Sequence, residues 1–166
     1  MSLFASSNNF EYPFYRILGN KDATSIYGKE LPEKINGMTV VEIAEEAFAD
    51  NDTLLYLELP KGNIKLGSAF CSGSLALTGI NLSGSVSVIP ENAFENCSNL
   101  TRVDGMDQVT VIESQAFAGC SALPFLDIPE TLTAVGAEAF RGCTSLARIR
   151  IPASVTSVGE SAFWGC

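Results

Sequence analysis

Leu146-Ala147-Arg148-Ile149-Arg150-Ile151-Pro152-Ala153-Ser154-Val155-Thr156-Ser157-Val158-Gly159-Glu160-Ser161-Ala162-Phe163-Trp164-Gly165-Cys166 is the clearest copy of a unit that recurs along the chain. Its anchor is the dipeptide Ala-Phe, found at Ala47-Phe48, Ala69-Phe70, Ala93-Phe94, Ala116-Phe117, Ala139-Phe140 and Ala162-Phe163. Successive phenylalanines are 22, 24, 23, 23 and 23 residues apart. A fixed period of that length is the signature of a solenoid, in which no unit buries its apolar side alone.

The rest of the unit keeps the same register. Three residues after the last four of these phenylalanines stand Cys97, Cys120, Cys143 and Cys166. Leucines follow at Leu54, Leu100, Leu123 and Leu146, then Leu57, Val103, Leu126 and Ile149, then Leu59-Pro60, Ile128-Pro129 and Ile151-Pro152. A second apolar pair precedes the next Ala-Phe: Val109 with Ile112, Leu132 with Val135, Val155 with Val158. Arg148-Ile149-Arg150-Ile151 alternates with period two and predicts a short strand that Pro152 ends, since proline cannot donate to a ladder. Val155-Val158 predicts a second extended piece, and Glu160-Ser161-Ala162-Phe163 a helical turn. The expected fold is an α+β repeat solenoid, a right-handed superhelix of units of about 23 residues. A parallel sheet forms one face, and short extended or helical turns form the other. Stacked strands then pair at about 4.8 Å.

The N-terminal part departs from the pattern. Residues 1–13 are expected to be disordered or vector-derived, and residues 14–46 to be an irregular capping repeat. In that cap Phe14-Leu18 and Ser25-Tyr27 pair as a hairpin, and Asn36-Gly37 makes a turn. Residues 47–166 are the repeats proper. The second unit is irregular as well: Cys71 follows Phe70 directly, and counting from Phe70 puts Gly73 in the cysteine place.

The pattern Leu146-x-x-Ile149-x-Ile151-Pro152-x-x-Val155-x-x-Val158-Gly159-x-x-Ala162-Phe163-x-x-Cys166 closely resembles the BspA-like, or Treponema pallidum-type, leucine-rich repeat. The resemblance covers residues 14–166, and Lys34-Ile35-Asn36-Gly37-x-x-Val40 looks like the usual first repeat of such proteins. It implies an extracellular or cell-surface protein that adheres to host proteins such as fibronectin and fibrinogen, or to neighbouring cells. The chain stops at Cys166, half-way through a unit. The expectation is either a fragment of a longer array or an end covered by a second copy, as a homodimer.

Composition narrows the function classes. Of 166 residues, 46% are hydrophobic and 17% charged, which suits a packed array and not a disordered chain. A net charge of −9 lacks the basic footprint that nucleic acid demands. The chain has no histidine, so Ser-His-Asp and Cys-His catalysis are excluded within it, and with them the commonest metal ligand. No apolar run approaches the ~20 residues of a transmembrane helix. Met1-Ser2-Leu3-Phe4-Ala5-Ser6-Ser7 has neither the charge nor the apolar run of a signal peptide. The expectation is a protein that is not an enzyme and holds no cofactor or metal.

Several features read as structural. The phenylalanines form a core column, and the cysteines form a second column of buried free thiols. Glu42, Glu45, Glu46, Asp50 and Asp52 lack the spacing of a calcium loop and read as a solvated face. Most of the sequons at Asn51, Asn81, Asn96 and Asn99 read as accidents of an Asn- and Ser-rich consensus.

The candidate ligand-binding residues are the variable positions between the fixed apolar ones, which face outward from the strands. One row is Tyr56, Gly79, Arg102, Phe125 and Arg148; the other is Glu58, Asn81, Asp104, Asp127 and Arg150. The first mixes aromatics and arginines, the types enriched at binding hot spots. The expected partner is a host, neighbouring-cell or extracellular-matrix protein. Two other readings are a spacer that merely presents another domain, and an enzyme using Asp104 and Asp127 as an acid/base pair.

Overall fold

The computed structural model describes residues 4–6, 14–17, 29–35 and 37–166. The strands are β1 (Phe4–Ser6), β2 (Phe14–Ile17), β3 (Lys29–Glu30), β4 (Lys34–Ile35) and β5 (Met38–Ile43), then β6 (Tyr56–Glu58), β7 (Lys65–Leu66), β8 (Gly79–Asn81) and β9 (Val88–Ile89). They continue with β10 (Arg102–Asp104), β11 (Val111–Ile112), β12 (Ala134–Val135) and β13 (Ser157–Val158). β3, β6, β8 and β10 pair in parallel as one sheet, and β9, β11, β12 and β13 as another. At the N-terminal end β5 pairs in parallel with β2 and β7 and antiparallel with β4. β1 pairs antiparallel with β2, whereas Ser25-Tyr27, expected as the hairpin partner, lies outside the described residues.

The chain is therefore a parallel β-solenoid, and the α+β expectation is corrected: the described residues contain no helix. The reason lies in the segment around each Ala-Phe. In Glu46–Asp50 the amides of Ala47 and Ala49 donate three residues back, to Ala44 and Glu46. Those of Glu46, Phe48 and Asp50 donate instead to Ser68, Phe70 and Ser72 of the next coil. A helix would keep every one of these bonds local. The alternation is made by left-handed residues: Glu46, Ala69, Asn92, Gln115, Glu138 and Ser161 all have φ between 52° and 56°. Four residues further on stand Asp50, Gly73, Asn96, Gly119, Gly142 and Gly165, again with positive φ. Each coil is thus joined to the next along three columns, two of strands and one of turns.

The same bonds resolve the irregular second unit. The donors run Phe48, Cys71, Phe94, Phe117 and Phe140, a constant backbone step of 23. Phe70 therefore occupies the alanine place and Cys71 the phenylalanine place, a side-chain exchange without insertion. The spacings of 22 and 24 are its trace. Counting from Phe70 misplaced the next column: Ser74, not Gly73, stands where the later units have cysteine. Its hydroxyl donates to the carbonyl of Phe48, as the thiol of Cys97 does to that of Cys71 and the thiol of Cys120 to that of Phe94. The displaced ring shows in the packing. Phe70 meets Phe94 edge-on at 73°, while the pairs from Phe94 to Phe163 are stacked within 16°.

The core fills the space between the columns. Phe48, Phe70, Phe94, Phe117 and Phe140 are completely buried, with Leu54, Leu77, Leu100 and Leu123 beside them. The strands from β6 to β12 point their middle or last residue inward: Leu57, Ile80 and Val103 from one sheet, Ile89, Ile112 and Val135 from the other. Coils touch closely enough at Gly136 that an added Cβ would lie 2.4 Å from the Ser114 nitrogen.

The exchange reading makes a stability prediction. Phe70→Ala empties a buried site and is expected to cost about 3–5 kcal/mol. The double variant Phe70→Cys/Cys71→Phe keeps volume and restores the common order, so it should cost less than about 1.5 kcal/mol. Urea unfolding checks both; a double variant as damaged as Phe70→Ala contradicts the register.

Candidate binding face

The two outward rows lie on the sheet of β6, β8 and β10. Tyr56, Gly79 and Arg102 are rung neighbours, as are Glu58, Asn81 and Asp104. Phe125 and Arg148 face each other across an isolated parallel bridge. The ladder thins beyond β10 because Pro124 stands where the previous coils have Thr78 and Thr101. Those two amides donate to Leu55 and Thr78, and proline has no such donor. The sheet resumes at the amide of Ala147, which donates to the Pro124 carbonyl. Asp127 and Arg150 lie on these later coils outside any named strand.

Within the rows most polar groups already have partners. Asn81 donates from Nδ2 to Glu58 Oε1 at 3.2 Å, and its Oδ1 accepts from the Ser83 amide at 2.8 Å. Arg102 pairs with Asp104 at 2.5 Å, and Arg150 with Glu130 at 2.9 Å. Glu130 is absent from the expected set because it lies 20 residues before Arg150, off the 23-residue rung. The Tyr56 ring lies over Gly79, where a Cβ would come within 3.1 Å of Cδ2. Partial burial, then the carboxylates of Glu58 and Asp104, raise the Tyr56 hydroxyl pKa, against a lowering by Arg102. Phe125 is 56% exposed, and Arg148 is exposed beside it.

The face is not flat throughout. Asp104 and Asp127 share a shallow depression of about 220 Å³ with Met106, Asp107 and Pro129. A second outward face, formed by the sheet of β9, β11, β12 and β13, was not anticipated. Its rungs carry Val88, Val111, Ala134 and Ser157, half-buried except for the serine. The two-residue strands are too short for alternation to show in the sequence. At its N-terminal end a depression of about 490 Å³ is lined by Glu42, Glu45, Lys65 and Glu113, among others.

Three of the four sequon asparagines are held by side-chain hydrogen bonds, Asn99 through its Nδ2 on the Leu75 carbonyl. Asn51 is buried and accepts through Oδ1 from the amides of Thr53 and Leu54, while Asn81 sits in the network above. All five cysteines are free; four are buried and Cys166 is exposed. Burial pushes the thiols up, those of Cys97 and Cys143 to about 12.

The family described as "BspA type Leucine rich repeat region" matches residues 41–166 in six copies. The chain belongs to this family. BspA-type repeats are a leucine-rich-repeat fold, generally a protein–protein interaction fold. Solved structures agree. A leucine-rich cell surface protein from Faecalibacterium prausnitzii matches 99% of this chain at 25% identity, with a TM-score of 0.82. A leucine-rich repeat protein from Bacteroides ovatus matches 84% at 28% identity and 0.76, and one from T. pallidum matches 99% at 25% and 0.61. The chain spans 47%, 35% and 65% of those proteins. A search of curated proteins finds no match. Among the described residues no helix is long and apolar enough to cross a membrane.

The thiol column yields a pH prediction. Folded Cys97 and Cys143 keep their protons to about 12, above the ordinary 9.0, so the unfolded chain ionises first. That contribution to stability is whole below pH 9 and is lost as pH rises towards 12. Denaturant midpoints should fall across this window, and less steeply in a Cys97→Ala/Cys143→Ala variant. A wild-type slope no greater than the variant's contradicts the assignment.

Proposed function

We propose that the chain is the binding module of a cell-surface or secreted protein, adhering through the β6–β8–β10 face and its continuation to a host, neighbouring-cell or extracellular-matrix protein. No bond is made or broken. The observation that carries this reading is the outer row itself. The row presents Tyr56, whose ring covers the buried Gly79, then Arg102, Phe125 and Arg148, and Phe125 is 56% exposed on a regular scaffold. Aromatic and arginine side chains held by a rigid sheet lose little entropy on contact. The cell-surface description of the F. prausnitzii protein supports the same location here. Residues 14–46 serve as the N-terminal cap: β3 covers β6, and β5 covers β7.

One observation favours the spacer reading. The Glu58–Asn81, Arg102–Asp104 and Arg150–Glu130 contacts satisfy much of the face internally. A panel of immobilised extracellular-matrix and plasma proteins separates the two. The intact chain should bind at least one, and an Arg102→Ala/Phe125→Ala/Arg148→Ala variant should lose about tenfold or more with its thermal midpoint kept. Absence of binding by the intact chain, or undiminished binding by the variant, contradicts the adhesive reading.

A further inference from the structure

Arg148 differs from the other arginines of the repeats. Beyond Lys65 the cations are Arg102, Arg141, Arg148 and Arg150. Arg102 is held by Asp104, Arg141 by Glu138 and Arg150 by Glu130. The Arg148 side chain makes no ion pair or hydrogen bond among the described residues, although it stands on an exposed rung. The rung beside it holds Phe125, exposed by 56% where an apolar ring in a monomeric face gains nothing. The bridge sets the two side chains roughly 4.8 Å apart along the column. An uncommitted guanidinium beside an uncovered ring presents a planar fork of donors and an apolar surface together.

Resting on the adhesive reading above, we propose that Arg148 and Phe125 form its anchor point and that they recognise a carboxylate next to a large apolar side chain on a protein partner. The guanidinium takes the carboxylate bidentately, and the ring covers the apolar neighbour. The surroundings select this chemistry over a polyanion. Asp104, Asp127 and Glu130 lie on the same face, with Asp127 exposed, so a run of sulfates or phosphates beyond the first would meet carboxylates. A single negative charge flanked by apolar bulk meets none of that repulsion. Glu130 and Asp104 also offset the charges of Arg150 and Arg102, which leaves Arg148 as the cation of the row without an ion pair.

Random peptides displayed on phage and selected on the intact chain test this, with heparin as a polyanion probe. The expected result is enrichment of peptides carrying Asp or Glu beside Leu, Phe or Trp. Their binding should fall about tenfold with Arg148→Ala, with Phe125→Ala, and when the peptide acid is replaced by its amide; Arg148→Lys should recover only part of it. Peptides that lose binding with the triple face variant but carry no acid, or that ignore Arg148→Ala, overturn the inference and leave the adhesive face standing. Peptides indifferent to the triple variant overturn both. No enrichment, or heparin binding that depends on Arg148 without acidic peptides, also overturns the inference.

Discussion

The backbone hydrogen bonds that leave each Ala-Phe turn for the next coil are the constraint on which the rest depends. Three amides per coil, such as those of Gln115, Phe117 and Gly119, reach the carbonyls of Ala137, Ala139 and Arg141. Each set requires two residues in the left-handed region, and one of them is never glycine. That conformation costs a non-glycine residue about 1–2 kcal/mol, and a hydrogen bond returns a net of about 0.5–1.5 kcal/mol. With three bonds set against one or two non-glycine left-handed residues, the net gain is at most a few kcal/mol per coil, so the ladder fixes the 23-residue step and adds only modestly to stability. Stability comes from the buried Phe and Leu columns that the step brings into register.

The same step decides where function can reside. Because every coil repeats its backbone, a variable position becomes a row, and residues 23 apart in sequence become neighbours on a surface. Tyr56, Arg102, Phe125 and Arg148 are distant in the chain and adjacent on one face for that reason alone. Interruptions follow from single residues. Pro124 removes one donor and opens the ladder just where Phe125 protrudes. Such a scaffold presents a pattern of side chains instead of enclosing a substrate.

Much of this was legible in the sequence, and the failures have physical causes. The period, the phenylalanine and cysteine columns and the two outward rows all follow from residue types at fixed spacing. The absence of a helix does not, since Glu160-Ser161-Ala162-Phe163 has helical composition and only the left-handed φ of Ser161 sends its bonds outward. The second sheet was seen as extended pieces but not as a ladder, because two-residue strands carry no alternation. The second unit was misregistered because side chains were counted, and at Phe70 and Cys71 they are exchanged while the backbone is not. The Arg150–Glu130 contact lies off the period, where repetition gives no signal.

Scalar couplings across hydrogen bonds, read by NMR on the labelled chain, test the central constraint most directly. The account predicts that the amide nitrogen of Phe117 couples to the carbonyl carbon of Ala139, and that of Phe94 to Ala116. Couplings from either amide to the carbonyl four residues earlier in its own coil would mean a helical turn there, and would contradict the three-column solenoid.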